Sequence, residues 1–385
     1  MHDEVYTKLQ RLLDTFLLAA PAAPSLLEIL RIRFTPKEAE VALLLGSKRQ
    51  TAAAVAAAAD QSQNVLQTIL EEMANKGLVF KETKTRDGLT QVLYSLLPTA
   101  VGLWETSFAK GERSPETEKL AHYWREYYDS GWGKVMHSSS TSFCRVIPIA
   151  KSIDSGQEVY SYERASDLIK QQDYACVLHC ACRTAAVLDG KGCGKPTEVC
   201  MHFGRMARFL VEKGYGRQIT TDEALSILDL TEKAGLVHEV GNSKEMGVAL
   251  CSCCKCCCTQ LRATRELLKL DALAPSRFIA QVDQELCIVC GVCGERCQVD
   301  AVGPAESCPE GTSKVNVIRC IGCGLCVTEC PAEAISMKVR ESYEEPFDTG
   351  RELAKAFVDG AKNGGRRSGV GDKMIGDTVK TLPGQ

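Results

Sequence analysis

Cysteines are the residues of this chain with the clearest capacity for chemistry, and they are placed unevenly. The sequence holds 21 cysteines among 385 residues, and none of them lies within residues 1–143. Six of them occur in the eight-residue stretch CSCCKCCC at 251–258, which we call the cysteine run. Disulfide frameworks belong to small secreted domains, and so lopsided a distribution does not suit one. The pattern therefore indicates a reducing compartment and thiolate ligands for metal.

Two segments near the end of the chain repeat one cysteine spacing. LCIVCGVCGERCQVDAV at 286–302 aligns with RCIGCGLCVTECPAEAI at 319–335, and both contain C-x2-C-x2-C-x3-C. Gly291, Gly322 and Gly324 relieve backbone strain in the short gaps, so that three thiolates can converge on one metal cluster. The fourth cysteine of each segment then points toward the other cluster. Zinc also binds paired C-x2-C motifs, but two intact repeats in tandem favour iron–sulfur clusters.

These segments resemble the two-cluster bacterial ferredoxins, and the resemblance implies two 4Fe–4S clusters. It assigns the first cluster to Cys287, Cys290, Cys293 and Cys330, and the second to Cys320, Cys323, Cys326 and Cys297. In that family a proline follows the fourth cysteine. Pro331 fits, whereas Gln298 departs from the pattern, and we expect an altered turn and altered hydrogen bonding beside the second cluster. Cys308 lies between the segments, matches no ligand position and is interpreted as a spare thiol.

A second group of cysteines precedes the cysteine run. We interpret HCACRTAAVLDGKGCGKPTEVCMHFG at 179–204 as the end of a strand, a glycine-rich loop and the start of a helix. The C-x-C spacing would then place Cys180 and Cys182 on one face of a strand. Cys193 would lie in the loop, and Cys200 would open a helix whose positive end favours a thiolate.

The cysteine run can be arranged in two ways. If it is extended, Cys251 and Cys253 face one side, and Cys254, Cys256 and Cys258 face the other. If it becomes helical at Cys253, the side chains at 253, 256 and 257 share a face. A cubane takes four thiolates, so the run must be split between sites or be partly unused.

We expect one or two further iron–sulfur clusters in this middle region, with a zinc or mixed-thiol site as the alternative. The pairing of the ligands stays open. The candidates are Cys180, Cys182, Cys193, Cys200, Cys251, Cys253, Cys254, Cys256, Cys257 and Cys258. Arg183 and Lys255 would offset the thiolate charge, although solvated cations are the plainer interpretation. His179 and His202 adjoin cysteines, but such histidines more often pack or donate hydrogen bonds than bind metal.

Two further cysteines have no evident partner in the sequence. Cys144 lies in the extended segment FCRVIPI and is interpreted as an ordinary buried thiol. Cys176 lies in YACVLHC, which predicts a strand ending at the first cysteine group. The role of Cys176 stays open.

The middle and C-terminal motifs together are similar to a group of multidomain iron–sulfur proteins of anaerobes. Those proteins share a C-x-C-R element, two spaced cysteines, a C-x-C-C-x-C-C-C run and a C-terminal two-cluster ferredoxin domain. The resemblance covers residues 174–340, and a winged-helix-like N-terminal region also fits it. It implies a redox role in anaerobic metabolism but no defined reaction.

The N-terminal part of the chain predicts a winged helix-turn-helix at residues 36–97. Pro36 can begin a helix that Gly46 ends, QTAAAVAAAAD predicts a second helix, and Ser62 can cap a third that stops at Gly77. Alternating residues around Asp87-Gly88 then predict a hairpin. The predicted recognition helix carries glutamines but few cations, so we expect docking or dimerisation rather than DNA binding.

The predicted fold class is α+β with several domains: an N-terminal winged helix-turn-helix, a cysteine-rich α/β middle domain and a C-terminal two-cluster ferredoxin-like domain. Residues 98–145 should form a helical linker in which EKLAHYWREYYDSGW is a packing face, and residues 341–385 an extended, partner-wrapping tail. The predicted divisions are 1–35, 36–97, 98–145, 146–275, 276–340 and 341–385.

Composition excludes several functional classes. A formal net charge of −3 gives no general attraction to nucleic acid or anionic membrane. Asp3 and Glu4 stand where a signal peptide would be basic, and RLLDTFLLAAPAAPSLLEIL is too broken by charge and proline to span a bilayer. We therefore expect a cytoplasmic protein. The sequence contains no phosphate-binding loop, no Rossmann fingerprint and no set of residues to nominate as catalytic.

Three functions remain after these exclusions. The first is an electron carrier or oxidoreductase subunit that relays single electrons to or from a partner oxidoreductase, with a homodimer contact through residues 36–97. The second is a redox-sensing DNA-binding regulator. The third is a reductase with an unusual cluster in the middle domain, acting on a substrate such as a disulfide.

Overall fold

The computed structural model describes residues 2–86, 88–304 and 311–363 of the chain. Within them the fold is mixed α+β. The N-terminal elements are α1 (His2–Leu13), α2 (Pro24–Arg33), α3 (Pro36–Leu45), α4 (Ala52–Ala59), α5 (Gln63–Asn75), β1 (Val79–Arg86) and β2 (Leu89–Leu96).

The local signals at 36–97 act as the sequence predicts. Thr35 and Glu38 form a capping box at the start of α3, and the Ser62 hydroxyl accepts a hydrogen bond from the Val65 backbone at the start of α5. β1 pairs with β2 in antiparallel register, from Val79 opposite Leu96 onward. Three helices followed by a hairpin are thus present, and the winged-helix assignment itself stays a prediction.

An aromatic core follows this region. Its helices are α6 (Trp104–Phe108), α7 (Pro115–Tyr127) and α8 (Gly133–Met136). Trp124 lies 5.3 Å from Trp104 and 5.4 Å from Trp132, measured between ring centroids. The Trp132 indole donates a hydrogen bond of 3.1 Å to the Ala19 carbonyl. The aromatic stretch therefore packs the N-terminal helices together, as predicted.

The middle of the chain builds a mixed sheet flanked by helices. Its elements are β3 (Cys144–Ile147), α9 (Ala165–Lys170), β4 (Ala175–His179), α10 (Ala181–Leu188), β5 (Glu198–Phe203), α11 (Gly204–Glu212), β6 (Arg217–Ile219), α12 (Thr221–Lys233), β7 (Val237–Gly241), β8 (Ala249–Cys253), α13 (Thr259–Glu266) and β9 (Leu273–Ala274). The strand order is β6-β4-β5-β8-β7-β3-β9. Only the β3–β9 pair in this described sheet is parallel.

The C-terminal part contains the two cysteine repeats and a helix. Its elements are β10 (Phe278–Val282), α14 (Val292–Arg296), β11 (Val302–Pro304), β12 (Ser313–Val315), β13 (Ile335–Val339) and α15 (Gly350–Asn363). β10 pairs with β13 and β11 pairs with β12, both antiparallel. The repeats are thereby enclosed between two short strand pairs.

Two local predictions in the cysteine-rich region are wrong. Cys180 is the residue before α10 and Cys182 lies in its first turn, so the two do not share a strand face. The alanine-rich sequence after Cys180 favours a helix over a continued strand. Cys200 lies within β5 rather than at a helix start, because the turn into α11 comes only at Gly204.

The predicted extended tail is also wrong over part of its length. α15 is a helix whose apolar face is buried, including Leu353 and Phe357. The Phe357 ring packs edge-on against Phe143 at 5.4 Å between centroids, and the Ser139 hydroxyl donates to the Phe357 carbonyl. Cys308 and residues 364–385 lie outside the described part of the chain.

Candidate metal centres

A cavity of about 740 Å³ opens between the N-terminal region, one face of the sheet and the start of α15. Part of its wall is apolar and comes from the N-terminal region, including Phe16, Leu17, Phe80 and Trp104. Another part is formed by Cys144 and by six further thiols, which we call the cavity cysteines. They are Cys180, Cys182, Cys200, Cys251, Cys253 and Cys258.

The sheet register brings half of the cavity cysteines together. Met201 on β5 faces Leu250 on β8, so the same register places Cys200 opposite Cys251. Cys251 in turn faces Glu239 on β7. Residues opposite each other in a sheet point to the same face, and so do residues two apart along a strand. Cys253 therefore joins this face.

The other cavity cysteines come from the ends of helices. Cys180 and Cys258 immediately precede α10 and α13. Cys182 interacts with both of them, and Cys258 also interacts with Cys253. The thiols thus form a continuous series in the wall of the cavity, in which each sulfur interacts with the next. Its order is Cys200, Cys251, Cys253, Cys258, Cys182 and Cys180.

Buried charged groups adjoin these thiols. Glu239 has an oxygen within 4.8 Å of the sulfurs of Cys253 and Cys258, and its Oε1 has no hydrogen-bond partner among the described residues. Burial, together with the negative charge of Cys251, raises the pKa of Glu239. Burial likewise raises the pKa of Glu105, which lines the cavity, to about 7. A bound cation would stabilise the ionised form of both carboxyl groups.

Arg183 is the buried cation of this region. Its guanidinium donates to the Ser252 carbonyl at 2.8 Å and contacts the Cys254 sulfur at 3.9 Å. Burial lowers the pKa of Arg183, but the thiolate charges of Cys180, Cys254 and Cys253 outweigh it and raise the pKa overall. The side chain is only 1% exposed, so it is not a solvated cation, and its charge offsets that of the thiolates.

A second set of thiols, which we call the four-cysteine group, consists of Cys193, Cys254, Cys256 and Cys257. Their sulfur atoms all lie within 4.8 Å of one another. Cys193 comes from the loop between α10 and β5, and the others come from the turn that follows β8. A hydrogen bond from the Cys257 thiol and the charge of Arg183 lower the pKa of Cys254.

The cysteine run is therefore divided between two sites. It is extended through Cys253, turns at 255–257 and enters α13 after Cys258. Its thiols at 251, 253 and 258 face the cavity, and those at 254, 256 and 257 join Cys193. Neither a wholly extended run nor a helix beginning at Cys253 describes it, but the expected division between two sides is present.

The cysteines of the two repeats differ in exposure. In the first set, the ligands assigned to the first cluster, Cys290 is exposed and Cys287 is half-buried. In the second set, the ligands assigned to the second cluster, Cys297 and Cys326 are buried. Leu286 and Ile288, beside the first set, are 53% and 63% exposed. The first set, which contains the exposed Cys290, is called the outer set, and the second, which contains the buried Cys297 and Cys326, is called the inner set.

The inner set lies against the middle domain. The backbone N–H of Lys255 donates to the Gln298 side-chain oxygen at 2.9 Å, and the Lys255 ammonium donates to the Cys297 carbonyl at 3.2 Å. From the other side, the Ile149 N–H donates to the Cys323 carbonyl at 2.9 Å. Gln298, where proline was expected, therefore connects the inner set to the cysteine run.

The remaining candidates lie apart or at the margins. Cys176 is fully buried on β4 and belongs to neither thiol set. Cys144 is half-buried, lines the cavity and accepts from the Gln260 amide, so it is more than a core thiol. The His179 Nδ1 forms a hydrogen bond with the Thr197 hydroxyl rather than with a cysteine. The His202 Nε2, in contrast, lies 3.6 Å from the Cys200 sulfur. Burial lowers the pKa of His202 to about 4.

Sequence reasoning missed the two carboxyl groups of the cavity. A signal for Glu239 was present, because it interrupts the apolar strand LVHEV. Glu105 gave no comparable signal, since it lies in a helix far from any cysteine in sequence.

Comparison with known proteins agrees with the ferredoxin interpretation at one place. Residues 314–336 match the 4Fe-4S binding domain family, Fer4. No curated protein and no solved structure is significantly similar to the chain. In the part of the chain that the structure describes, no helix has the length and apolar character to cross a membrane. The C-terminal region is thus ferredoxin-like, and the middle region contains cysteine clusters that could hold metal.

Proposed function

We propose that this chain is an iron–sulfur electron-transfer protein that relays single electrons between a partner oxidoreductase and a centre in the cavity. The observation that carries the proposal is the contact between the inner set and the cysteine run, made through Gln298 and Lys255. A cluster that served only as a surface carrier would not need this connection to a second buried group of thiols.

The exposures give the relay a direction. The outer set of Cys287, Cys290, Cys293 and Cys330 would bind the cluster that exchanges electrons with a partner, because Cys290 is exposed. The inner set of Cys320, Cys323, Cys326 and Cys297 would bind the second cluster. Electrons would then pass to an iron–sulfur centre bound by some of the cavity cysteines, near Arg183.

Basic groups of residues 36–97 support protein docking over DNA binding. Lys76 pairs with Glu38 at 2.7 Å, and Lys81 pairs with Glu71 at 2.8 Å. Cations that already neutralise carboxylates of the same fold contribute little to phosphate binding. We therefore assign this region to a partner or to a second copy of the chain, in a cytoplasmic oxidoreductase complex of anaerobic metabolism.

The experiment is a measurement of rapid reduction in the anaerobically purified full chain. The wild type is compared with a Cys320→Ser, Cys323→Ser double variant that removes the inner cluster. We expect the outer cluster to be reduced normally in the variant and the cavity centre to be reduced at least tenfold more slowly. Reduction of the cavity centre at the wild-type rate, or a purified protein without inorganic sulfide, would overturn the proposal.

A reductase is the second candidate, and the cavity is the observation that favours it. Six thiols exceed the four that one cubane takes, and the apolar part of the wall leaves room for an organic substrate beside the centre. The test is the electron paramagnetic resonance signal of the cavity centre with and without small disulfides. A signal that shifts with disulfide supports a reductase, and an unchanged signal supports a carrier.

A further inference from the structure

The four-cysteine group is more compact than an iron–sulfur cluster requires. Neighbouring sulfur atoms are 3.9 Å apart between Cys193 and Cys254, 3.8 Å between Cys193 and Cys257, and 3.7 Å between Cys256 and Cys257. These three separations are nearly equal, which is the mark of ligands around a single central point.

Tetrahedral geometry converts these separations into a metal–ligand distance. Four thiolates at about 2.3 Å from one zinc ion stand about 3.8 Å from each other. The thiolates of a cubane bind different irons at its corners and must stand farther apart, because the cluster core lies between them. The observed spacing therefore fits one ion.

The repeats provide an internal comparison. Among the described residues, only the four-cysteine group and the Glu239, Cys253, Cys258 trio are close enough to meet around one ion. None of the eight cysteines of the ferredoxin-like repeats belongs to either, although the second repeat lies within the 4Fe-4S family match. The chain thus spaces its thiols more widely where a cluster is expected.

The backbone gives the site the form of two facing turns. The N–H groups of Cys257 and Cys258 both donate to the Cys254 carbonyl, which curls the chain after β8. Opposite it, Cys193 lies between Gly190 and Gly194, which both adopt positive φ. Four thiolates exceed the charge of a divalent ion by two, and the Arg183 guanidinium at the Cys254 sulfur offsets part of that excess.

We propose that Cys193, Cys254, Cys256 and Cys257 bind a single zinc ion as a closed structural site. All four positions of the ion are taken by protein thiolates, which leaves none open for a substrate. The ion joins the α10–β5 loop to the cysteine run and thereby holds Cys253 and Cys258, on either side of the turn, toward the cavity. This site is independent of the electron relay. It leaves the cavity cysteines as the separate set of thiols that would bind the proposed iron–sulfur centre.

The first test is metal content. Zinc, iron and inorganic sulfide are measured per chain in the anaerobically purified wild type, in Cys256→Ala and in Cys176→Ala. Cys256 is the exposed member of the group, so its loss disturbs packing little, and Cys176, a buried thiol outside both sets, controls for the loss of any one cysteine. We expect one zinc per chain in the wild type and in Cys176→Ala. Cys256→Ala should lose that zinc and keep its iron and sulfide.

A second test needs no variant. Zinc X-ray absorption of the wild type should show four sulfur ligands at about 2.3 Å and no iron neighbour. Absence of zinc from the wild type, nitrogen or oxygen ligands in its spectrum, or loss of iron from Cys256→Ala would each overturn the zinc site. If the protein contains the zinc site but its cavity centre is not reduced through the inner cluster, only the proposed relay is overturned. Failure of the zinc site and failure of the relay are therefore distinguishable.

Discussion

Gln298 offers the sharpest test of how the ferredoxin-like repeats connect to the middle domain. Its side-chain oxygen accepts from the Lys255 N–H, and its amide nitrogen donates to the Arg296 carbonyl, both at 2.9 Å. The residue is 4% exposed. Gln298→Leu keeps the approximate volume of the side chain but leaves the Lys255 N–H without its acceptor.

The expected magnitude follows from that one donor. An unsatisfied buried hydrogen-bonding group costs about 1–3 kcal/mol. If this cost falls on the turn of the cysteine run, the amide of Lys255 should exchange with solvent about 5- to 150-fold faster, since 1.4 kcal/mol corresponds to a factor of ten. Reduction of the cavity centre should slow as well, because the turn is no longer fixed beside Cys297.

The assay is hydrogen–deuterium exchange of the anaerobic protein, followed in peptides that cover residues 250–260. Gln284→Leu is the control, because the Gln284 side chain hydrogen-bonds Thr312 and Ser313, within residues 276–340 but away from the cysteine run. Unchanged exchange in Gln298→Leu would refute the connection. An equal increase in Gln284→Leu would also refute it, by showing a general loosening of the domain.

Three further predictions concern the cavity, its closing helix and the outer set. Glu105→Gln should be more stable than the wild type at pH 8 by about 3 kcal/mol and equal to it at pH 4, measured by thermal unfolding across that range. Phe357→Ala should lower the free energy of unfolding by about 3–5 kcal/mol and speed the loss of iron from the cavity centre to a chelator, because α15 forms part of its wall. Ile288→Glu should leave the iron content unchanged but weaken reduction by a protein partner more than reduction by dithionite, because this exposed side chain lies between Cys287 and Cys290.

The direction of the Glu105 effect follows from its protonation. Its pKa is raised from 4.5 to about 7 because the folded chain buries the carboxyl group. Between these values the folded state keeps a proton that the unfolded state releases, so rising pH favours unfolding. Below pH 4.5 both states are protonated and the difference disappears. Glutamine removes the titration while its oxygen can still accept from the Gly102 N–H. A wild type that gains stability relative to Glu105→Gln as pH rises would contradict this reasoning.

Sequence alone predicted the features that depend on short-range spacing. The start of α3 at Pro36, the cap at Ser62, the hairpin and the two cysteine repeats are local patterns, and one of the repeats lies in the Fer4 match. A division of the cysteine run between two sides was also foreseen, but strand alternation placed Cys258 with Cys254 and Cys256, whereas the turn at 255–257 returns it to the cavity.

Features that depend on distant contacts were not predicted. Cys200 was expected at a helix start, but pairing with β4 and β8 holds it in a central strand. The helix α15 was overlooked although its apolar residues, from Leu353 to Ala361, recur at helical spacing; it packs against Phe143 and Ser139, more than 200 positions earlier. The pairing of the ligands likewise required the sheet register, which no spacing in the sequence determines.

The position of α15 in the chain has a consequence for assembly. Every cysteine precedes it, Cys330 being the last, while Gly350 and Leu353 line the cavity. During synthesis the thiols therefore leave the ribosome before the helix that closes their cavity. The proposed iron–sulfur centre would then have access from that side while the wall is incomplete, and docking of α15 would retain it. Maturation of this protein would accordingly be ordered in time by the direction of translation.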